Sequence, residues 1–197
     1  MSIVLKDINP FSALIFKTKY DGWDFDKVLS KAQELIDGRT ESESLEGGDS
    51  ESSVSNPINP HKCEEFKDFY KWLNPILGNV AKVQWDIHKE TPLIIGNSWV
   101  NYHNNNGYTR EHHHGASVMV VTSYLNLPKD GGFIEFRDPL EAQRGFLVKN
   151  TKNSEWKEVK AETGDVLIFP GWLRHRVQPN KSNEKRWVLT TNVDLKV

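Results

Sequence analysis

Three consecutive histidines, His112, His113 and His114, are the residues of this sequence best suited to chemistry. Successive side chains of an extended segment point to opposite faces, so His112 and His114 share one face while His113 points away. A further imidazole on that face, from His175 on a distant strand, would complete a set of three metal ligands. Three protein ligands leave coordination positions open for a substrate or oxygen. The pattern therefore predicts a metal site that carries out a reaction.

Arg186, at the start of the last predicted strand, indicates what binds beside the metal. An unpaired guanidinium is costly to bury, and its planar fork of donors matches a carboxylate. We therefore expect a ligand with a carboxylate group in the same cavity. The alternative is an ordinary salt bridge at the surface.

A series of short β-strands that starts near Val83 would position these residues. The strands are rich in β-branched and aromatic residues and are separated by Gly, Pro and Asn. Pro170 and Gly171 predict the turn that returns the strand of His175 over the cavity. So many short strands favour a mainly β fold, a closed jelly roll of two sheets that leaves no exposed edge. The predicted strands are Ser98–Tyr102, Tyr108–His112, Val118–Leu125, Phe133–Phe136, Gly145–Val148, Glu155–Val159, Val166–Phe169, His175–Gln178 and Arg186–Val193.

Residues 1–82 read as an extension packed on this core. Residues 11–20 favour a strand, and Asp24 is a plausible N-cap for a helix that ends at Gly38. Residues 38–59 are rich in Ser, Gly and acidic residues and predict a mobile loop, more typical of a solvated insertion than of a lid over the site. A second helix follows, which Pro75 should kink or shorten. We expect one domain over residues 1–197, with its core at 83–197.

Composition excludes several classes of protein. The 25 Lys and Arg residues against 27 Asp and Glu residues give a net charge of -2, too balanced for a general binder of nucleic acids or membranes. A single cysteine, Cys63, rules out an internal disulfide framework. Without a long apolar run at the start of the chain, the cytoplasm is expected, that of the host if the protein is viral.

Between Ser98 and Val193 an ordered set of short motifs accompanies the histidines and the arginine. Together they resemble the iron- and 2-oxoglutarate-dependent oxygenases, and within them the prolyl-hydroxylase-like group with its phage and bacterial members. The resemblance implies a double-stranded β-helix, the jelly-roll fold shared with cupins. The motifs are Tyr102 with Gly107-Tyr108, Ser123-Tyr-Leu-Asn126, Gly131-Gly-Phe-Ile-Glu-Phe136, Gly164-Asp-Val-Leu-Ile-Phe169, His175-Arg-Val-Gln-Pro179 and Arg186-Trp-Val-Leu-Thr190.

The resemblance also implies the activity and the roles of the site residues. Fe(II) would be bound by His112, His114 and His175, and Arg186 would pair with the distal carboxylate of the cosubstrate 2-oxoglutarate. Tyr102 and Thr190 are further candidates for the cosubstrate pocket. The expected reaction uses O2 to hydroxylate a C–H bond of a peptide, protein or small molecule, with release of succinate and CO2. The motifs do not identify that substrate.

Two positions depart from the family pattern. The usual motif is His-Xaa-Asp or His-Xaa-Glu, whereas His114 makes the third ligand neutral and the site one charge more positive. If His113 were instead the first ligand, Gly115 would fall at the carboxylate position, as in halogenases. Ser123 stands where prolyl hydroxylases often have tyrosine. A three-histidine dioxygenase without 2-oxoglutarate and a non-catalytic cupin-like metal-binding module remain alternatives.

The remaining histidines, the single cysteine and the tryptophans have no spacing in the sequence that indicates a functional role. We expect His61, His88 and His103 at the surface, and Cys63 has no assigned function. The tryptophans on predicted strands are more typical of core or rim packing than of a substrate groove.

Overall fold

The computed structural model describes residues 13–41, 45–88, 90–141 and 155–196. Its two main helices are α1 (Phe25–Asp37) and α2 (Lys67–Asn79), with 3-10 turns at Pro60–Lys62 and Glu64–Phe66 and a π-helical turn at Val80–Gln84. The strands are β1 (Phe16–Lys19), β2 (Glu46–Gly47), β3 (Ser50–Ser52), β4 (Leu93–His103), β5 (Tyr108–His112), β6 (Met119–Asn126), β7 (Ile134–Arg137), β8 (Trp156–Val159), β9 (Asp165–Pro170), β10 (His175–Val177) and β11 (Arg186–Leu195).

The strands form two antiparallel sheets. The larger has the order β1-β9-β6-β11-β4-β3, and the smaller has the order β2-β5-β10-β7-β8. Sequential strands such as β4 and β5, or β9 and β10, lie in different sheets, so the chain passes repeatedly from one sheet to the other. The mainly β jelly roll expected from the sequence, a double-stranded β-helix, is confirmed.

Alternation along the strands of the larger sheet divides the core in two. On β6, Val120 and Tyr124 face the smaller sheet and pack with Ile134 and Phe136 of β7. The intervening residue Val121 faces the helices on the outer side. This period of two is the geometry of a strand buried on both faces. One face of the larger sheet therefore lines the interior of the jelly roll, and the other supports α1 and α2.

Helix α1 forms as its sequence predicts. The Asp24 carboxylate accepts a hydrogen bond from the backbone N–H of Lys27, and Gly38 caps the other end. The buried stripe of α1 consists of Val28, Ala32, Leu35 and Ile36. Helix α2 is not shortened at Pro75, because it continues to Asn79 and into the π-helical turn. None of the helices in the described residues has the length and apolar character to cross a membrane.

The segment expected to be a loop, residues 38–59, instead adds an edge strand to each sheet. Glu46 of β2 pairs with Thr109 of β5, and Ser50 of β3 pairs with His103 of β4. The expectation of an irregular loop is therefore wrong for residues 46–52. The strand predicted over Ser98–Tyr102 is longer than expected, because β4 begins at Leu93 and ends at His103. The other strands predicted after Val83 are observed with small changes of their ends, and Gly145–Val148 lies outside the described residues.

Candidate metal centre

Two of the three histidines face each other across a strand pair. His112 is the last residue of β5 and His175 the first of β10, and the two residues are directly paired in the smaller sheet. His114 lies two residues beyond β5, where its backbone N–H donates to the carbonyl of Gly171 at 2.8 Å, in the turn between β9 and β10. One ring nitrogen from each histidine lies within 4.8 Å of the other two. The structure thus brings together the three residues selected from the sequence.

Backbone carbonyls fix the tautomer of two of these imidazoles. Nδ1 of His112 lies 2.8 Å from the carbonyl oxygen of Arg110, and Nδ1 of His175 lies 2.8 Å from that of Leu173. Because a carbonyl only accepts hydrogen bonds, each Nδ1 carries the proton, and in the neutral ring the Nε2 lone pair is free. The Nε2 atoms of His114 and His175 are 3.3 Å apart, turned toward a common point. A hydrogen-bonded Nδ1–H behind a free Nε2 is the usual state of a metal-binding histidine.

Burial keeps all three imidazoles neutral. Desolvation lowers the pKa of His114 to about 4, with the neighbouring His112 adding to the effect. The pKa values of His112 and His175 are also lowered, chiefly by burial. Neutral rings at pH 7 are ready to bind a cation without first losing a proton.

His113 is exposed, as expected of a residue that takes no part in the cluster, and its Nδ1 accepts a hydrogen bond from the backbone N–H of Gly115 at 3.1 Å. The expectation for His103 is wrong, because this residue is only 1% exposed. His61 is half-buried against Ser98, with 2.8 Å between His61 Nδ1 and Ser98 Oγ. His88 stays exposed, as expected.

The three histidines open into a cavity of about 430 Å³ between the two sheets. Arg186 and Thr190 of β11 also line it, so the cavity contains the predicted anion-binding arginine. Its apolar wall includes Trp99, whose indole stacks on His114 with ring centroids 5.8 Å apart. The remaining lining residues are Leu45, Glu46, Ser52, Val54, Asn101, His103, Thr109, Thr122, Tyr124, Ile134, Val177 and Val188.

Arg186 is fully buried, with a guanidinium that is only partly satisfied. Its Nη1 donates to the carbonyls of Gly131 at 2.7 Å and Gln178 at 3.1 Å. Nε and Nη2 are buried without a hydrogen-bond partner among the described residues. Burial lowers the pKa of Arg186 to about 10, so the group is still charged at pH 7. A buried cation with two unused donors in a cavity is a site for an anion.

Tyr102 does not reach this cavity. Its ring packs on Trp187, with centroids 4.9 Å apart, and lies under the Lys185 ammonium on the other face of the larger sheet. Tyr124, which sequence reasoning missed, does line the cavity. Burial raises the pKa of Tyr124, and the nearby charge of Arg186 partly offsets that increase. Ser123, the position compared with the hydroxylase tyrosine, faces away from the cavity because Tyr124 occupies the inward position of β6.

A buried carboxylate, also missed, lies in the same cavity. Glu46 accepts hydrogen bonds from His103 Nε2 at 2.5 Å, from the Thr109 hydroxyl at 2.8 Å and from the Asn101 amide at 2.9 Å. Asn101 and His103 belong to the larger sheet, whereas Glu46 and Thr109 belong to the smaller one. This polar cluster therefore joins the two sheets at one end of the cavity.

Sequence comparison finds a family match over the part of the chain that carries the site. Residues 97–192 match the model of a family described as "Putative 2OG-Fe(II) oxygenase". The match includes all three histidines and Arg186. No curated protein sequence matches the chain.

Solved structures of similar fold come from the same group of enzymes. A prolyl-4-hydroxylase from Pseudomonas putida has a TM-score of 0.60 and 13% identity, over 94% of this chain and 95% of that one. The viral collagen prolyl hydroxylase of Paramecium Bursaria Chlorella virus-1, solved as a 2-oxoglutarate complex, has a TM-score of 0.57 and 18% identity, over 92% and 96%. The epimerase SnoN of nogalamycin biosynthesis has a TM-score of 0.60 and 13% identity, over 92% and 77%.

At these identities the structural likeness establishes the fold alone, and the family match covers the part of the chain in which the site residues lie. The expected cofactors, iron and 2-oxoglutarate, are confirmed at the level of the family. The resemblance of this chain to the iron- and 2-oxoglutarate-dependent oxygenases is therefore confirmed, by sequence over residues 97–192 and by fold over the sheets that carry the site.

Proposed function

We propose that this protein is an Fe(II)- and 2-oxoglutarate-dependent oxygenase that hydroxylates a C–H bond of a peptide, protein or small molecule. His112, His114 and His175 are the proposed iron ligands, and Arg186 binds the distal carboxylate of 2-oxoglutarate. The observation that carries the proposal is that one cavity contains both three convergent neutral imidazoles and a buried guanidinium with two unused donors. Residues 83–197 form the proposed catalytic core, to which residues 46–52 of the extension add edge strands.

The donor set fits both groups. Three imidazole nitrogens suit divalent iron, and three ligands leave room for a chelating cosubstrate and for oxygen. The unused Nε and Nη2 atoms of Arg186 match the two oxygens of a carboxylate. When bound, iron and 2-oxoglutarate supply the oxidising chemistry, in which O2 converts the cosubstrate to succinate and CO2 and a substrate C–H bond is hydroxylated.

The protein itself orients the bound groups and surrounds them with apolar side chains. Carbonyls of Arg110 and Leu173 hold two imidazoles in the tautomer that ligation requires. The side chains of Ile134, Val177 and Val188 give the cavity apolar walls, and an apolar environment strengthens the electrostatic attraction between Arg186 and a bound carboxylate. Thr190, opposite Trp99 on β4, is proposed to contact the cosubstrate because it lies on the inner face of β11 between Arg186 and the histidines. Tyr102 packs on Trp187 outside the cavity and has no such contact.

The alternatives have less support. The halogenase register requires His113 as a ligand, but this residue is exposed and does not belong to the cluster. A dioxygenase that works without 2-oxoglutarate leaves the unused donors of Arg186 unexplained. A closed structural metal site usually has four protein ligands, and the cluster offers three within the described residues.

Formation of the metal and cosubstrate complex tests the proposal directly. Protein, Fe(II) and 2-oxoglutarate are mixed without oxygen, and the weak visible charge-transfer band of the chelate is expected only when all three are present. Admission of oxygen should then yield succinate. Absence of the band together with absence of succinate contradicts the proposal.

Pairs of matched variants test which residues bind the metal and which bind 2-oxoglutarate. His114→Ala should abolish the band, whereas His113→Ala, one residue away but exposed, should retain it. Arg186→Ala should leave metal affinity unchanged and weaken 2-oxoglutarate binding by about 10- to 100-fold, the usual effect of losing a charge-assisted hydrogen bond. Arg137→Ala removes a surface guanidinium bound to Glu111 and Glu141 and serves as its control. Equal 2-oxoglutarate affinities in the two arginine variants would remove Arg186 from its role.

A further inference from the structure

His103 and Arg186 lie side by side on the inner face of the larger sheet. They are directly paired between β4 and β11, both are buried to 1% exposure or less, and both line the cavity. Thr109, which contacts His103, is three residues before His112 on β5, or about 10 Å along an extended strand. The pair therefore lies within the same cavity but away from the proposed iron ligands.

Contacts with Glu46 determine which ring nitrogen of His103 carries a proton. His103 Nε2 lies 2.5 Å from a carboxylate oxygen of Glu46 and 3.0 Å from the Thr109 hydroxyl oxygen, which itself donates to Glu46. An ionised carboxylate only accepts hydrogen bonds, so Nε2 is a donor. Nδ1 is consequently the atom whose protonation can change.

Nδ1 of His103 is buried and has no hydrogen-bond partner among the described residues, like Nε and Nη2 of Arg186. Three unsatisfied polar atoms thus belong to two neighbouring residues at one cavity. Orphaned buried polar atoms are rare in folded proteins, and each calls for a missing partner. An anion between these side chains would satisfy all three atoms, provided that Nδ1 is protonated.

We propose that His103 is a further cosubstrate-binding residue: it takes up a proton from solvent as 2-oxoglutarate binds, and its Nδ1 donates a hydrogen bond to the distal carboxylate of 2-oxoglutarate. Glu46 is the positioning residue that stabilises the resulting imidazolium through Nε2. Cosubstrate carboxylate, imidazolium and Glu46 would then alternate in charge. This inference rests on the proposed function, because it assumes that 2-oxoglutarate is the ligand of Arg186.

The charged groups around His103 explain why the proton arrives with the ligand. Burial lowers the pKa of His103 and the charge of Arg186 lowers it further, while Glu46 acts in the opposite direction. The free site therefore holds a neutral imidazole at pH 7. A bound carboxylate offsets the charge of Arg186 and adds an acceptor for Nδ1–H, so protonation becomes favourable.

Calorimetric titration of Ni(II)-loaded protein with 2-oxoglutarate tests the proposal without turnover. Titrations in two buffers of different ionisation enthalpy give the number of protons taken up. We expect about one proton per ligand, and an affinity that falls by up to about tenfold per unit as pH rises between about 6 and 8. The metal-bound histidines stay neutral over this range and do not contribute.

Two variants separate the roles of the residues. His103→Gln retains an amide donor for Glu46 but lacks Nδ1, so proton uptake should disappear and affinity should fall by about 10- to 100-fold. Glu46→Gln leaves His103 in place and should reduce proton uptake. His61→Asn, at a half-buried histidine that lies outside this cavity, is the control and should behave as wild type.

The outcomes distinguish this inference from the function on which it rests. If the wild type binds 2-oxoglutarate without proton uptake, or if His103→Gln takes up the same number of protons, the inference is wrong and the proposed function stands. If the metal-loaded wild type does not bind 2-oxoglutarate, both are wrong. Should His103→Gln fail to fold, the wild-type proton count and Glu46→Gln still decide the question.

Discussion

Acidification of the metal-free protein tests the neutral state of the histidine cluster, and His114→Asn is the informative variant. The pKa of His114 is lowered to about 4 by burial and by its neighbours, against about 6.5 in an unfolded chain. Between these two values the unfolded state binds a proton that the folded state does not. The free energy of unfolding therefore falls as pH drops below about 6.5, and the loss is complete near pH 4.

The size of this effect follows from the same values. At pH 5, about 1.5 units below the unfolded pKa, the folded residue remains mostly neutral, and one unit corresponds to about 1.36 kcal/mol. Keeping His114 neutral thus costs about 2 kcal/mol at pH 5 and almost nothing at pH 7. His114→Asn removes the titrating group. Between pH 7 and pH 5 the free energy of unfolding should therefore fall in both proteins, but by about 2 kcal/mol less in the variant than in the wild type.

Urea denaturation followed by tryptophan fluorescence, in the presence of a chelator, measures the difference. Carboxylates titrate in both proteins and cancel in the comparison. His113→Asn, a substitution at an exposed site, should follow the wild type. If the wild type and His114→Asn lose the same free energy on acidification, the imidazole is not held neutral by burial and the reasoning fails.

Three further substitutions test the surroundings of the site. Gly171→Ala should lower metal affinity by about 10-fold or more, as measured by competition with a chelator, because the new Cβ would collide with the Ser117 carbonyl and displace the turn that holds His114. Phe169→Ala should reduce the free energy of unfolding by about 3 to 5 kcal/mol, since its buried ring packs against His175 with centroids 4.9 Å apart. Gly78→Ala in α2, where a Cβ meets nothing within 4 Å, should instead raise the free energy of unfolding by up to about 1 kcal/mol, and with it the thermal midpoint. Unchanged metal affinity in Gly171→Ala, undiminished stability in Phe169→Ala or a lowered midpoint in Gly78→Ala would contradict the corresponding expectation.

Local rules account for the elements that the sequence predicted well. The N-cap of α1 depends on a hydrogen bond over three residues, from Lys27 to Asp24, so its start can be read directly. Strand β5 was predicted with its observed bounds because it is flanked by Gly107 and by the turn at Gly115. The alternation of His112, His113 and His114 likewise follows from backbone geometry alone.

The alternation of side chains also shows that Tyr102 and His103, which are adjacent on β4, lie on opposite faces of the sheet. On β4 it places Trp99, Asn101 and His103 on one face and Tyr102 on the other, so Tyr102 and His103 could not both line the cavity. The choice between the faces needed the pairing of His103 with Arg186, which joins residues far apart in sequence. The resemblance to the family pointed to Tyr102, whereas the register shows that His103 is the residue in the cavity.

Strands β2 and β3 had no local signal. Their sequence is short, acidic and rich in Ser and Gly, a composition that by itself favours a loop. The segment becomes extended because the edges of β5 and β4 offer unpaired backbone groups, and because Glu46 can satisfy polar atoms on both sheets. These hydrogen bonds can form only after the two sheets have packed against each other.

The sequence by itself determined the chemistry available to this protein: imidazoles alternating on one strand, another on a later strand, and an arginine whose burial requires an anion. Only the tertiary structure decided that His175 meets His112, that Arg186 meets His103, and that Glu46 reaches the same cavity. The reason is physical. Residue types and alternation are set by the chain within a few residues, whereas the register of distant strands is set by packing and hydrogen bonding over the whole of both sheets.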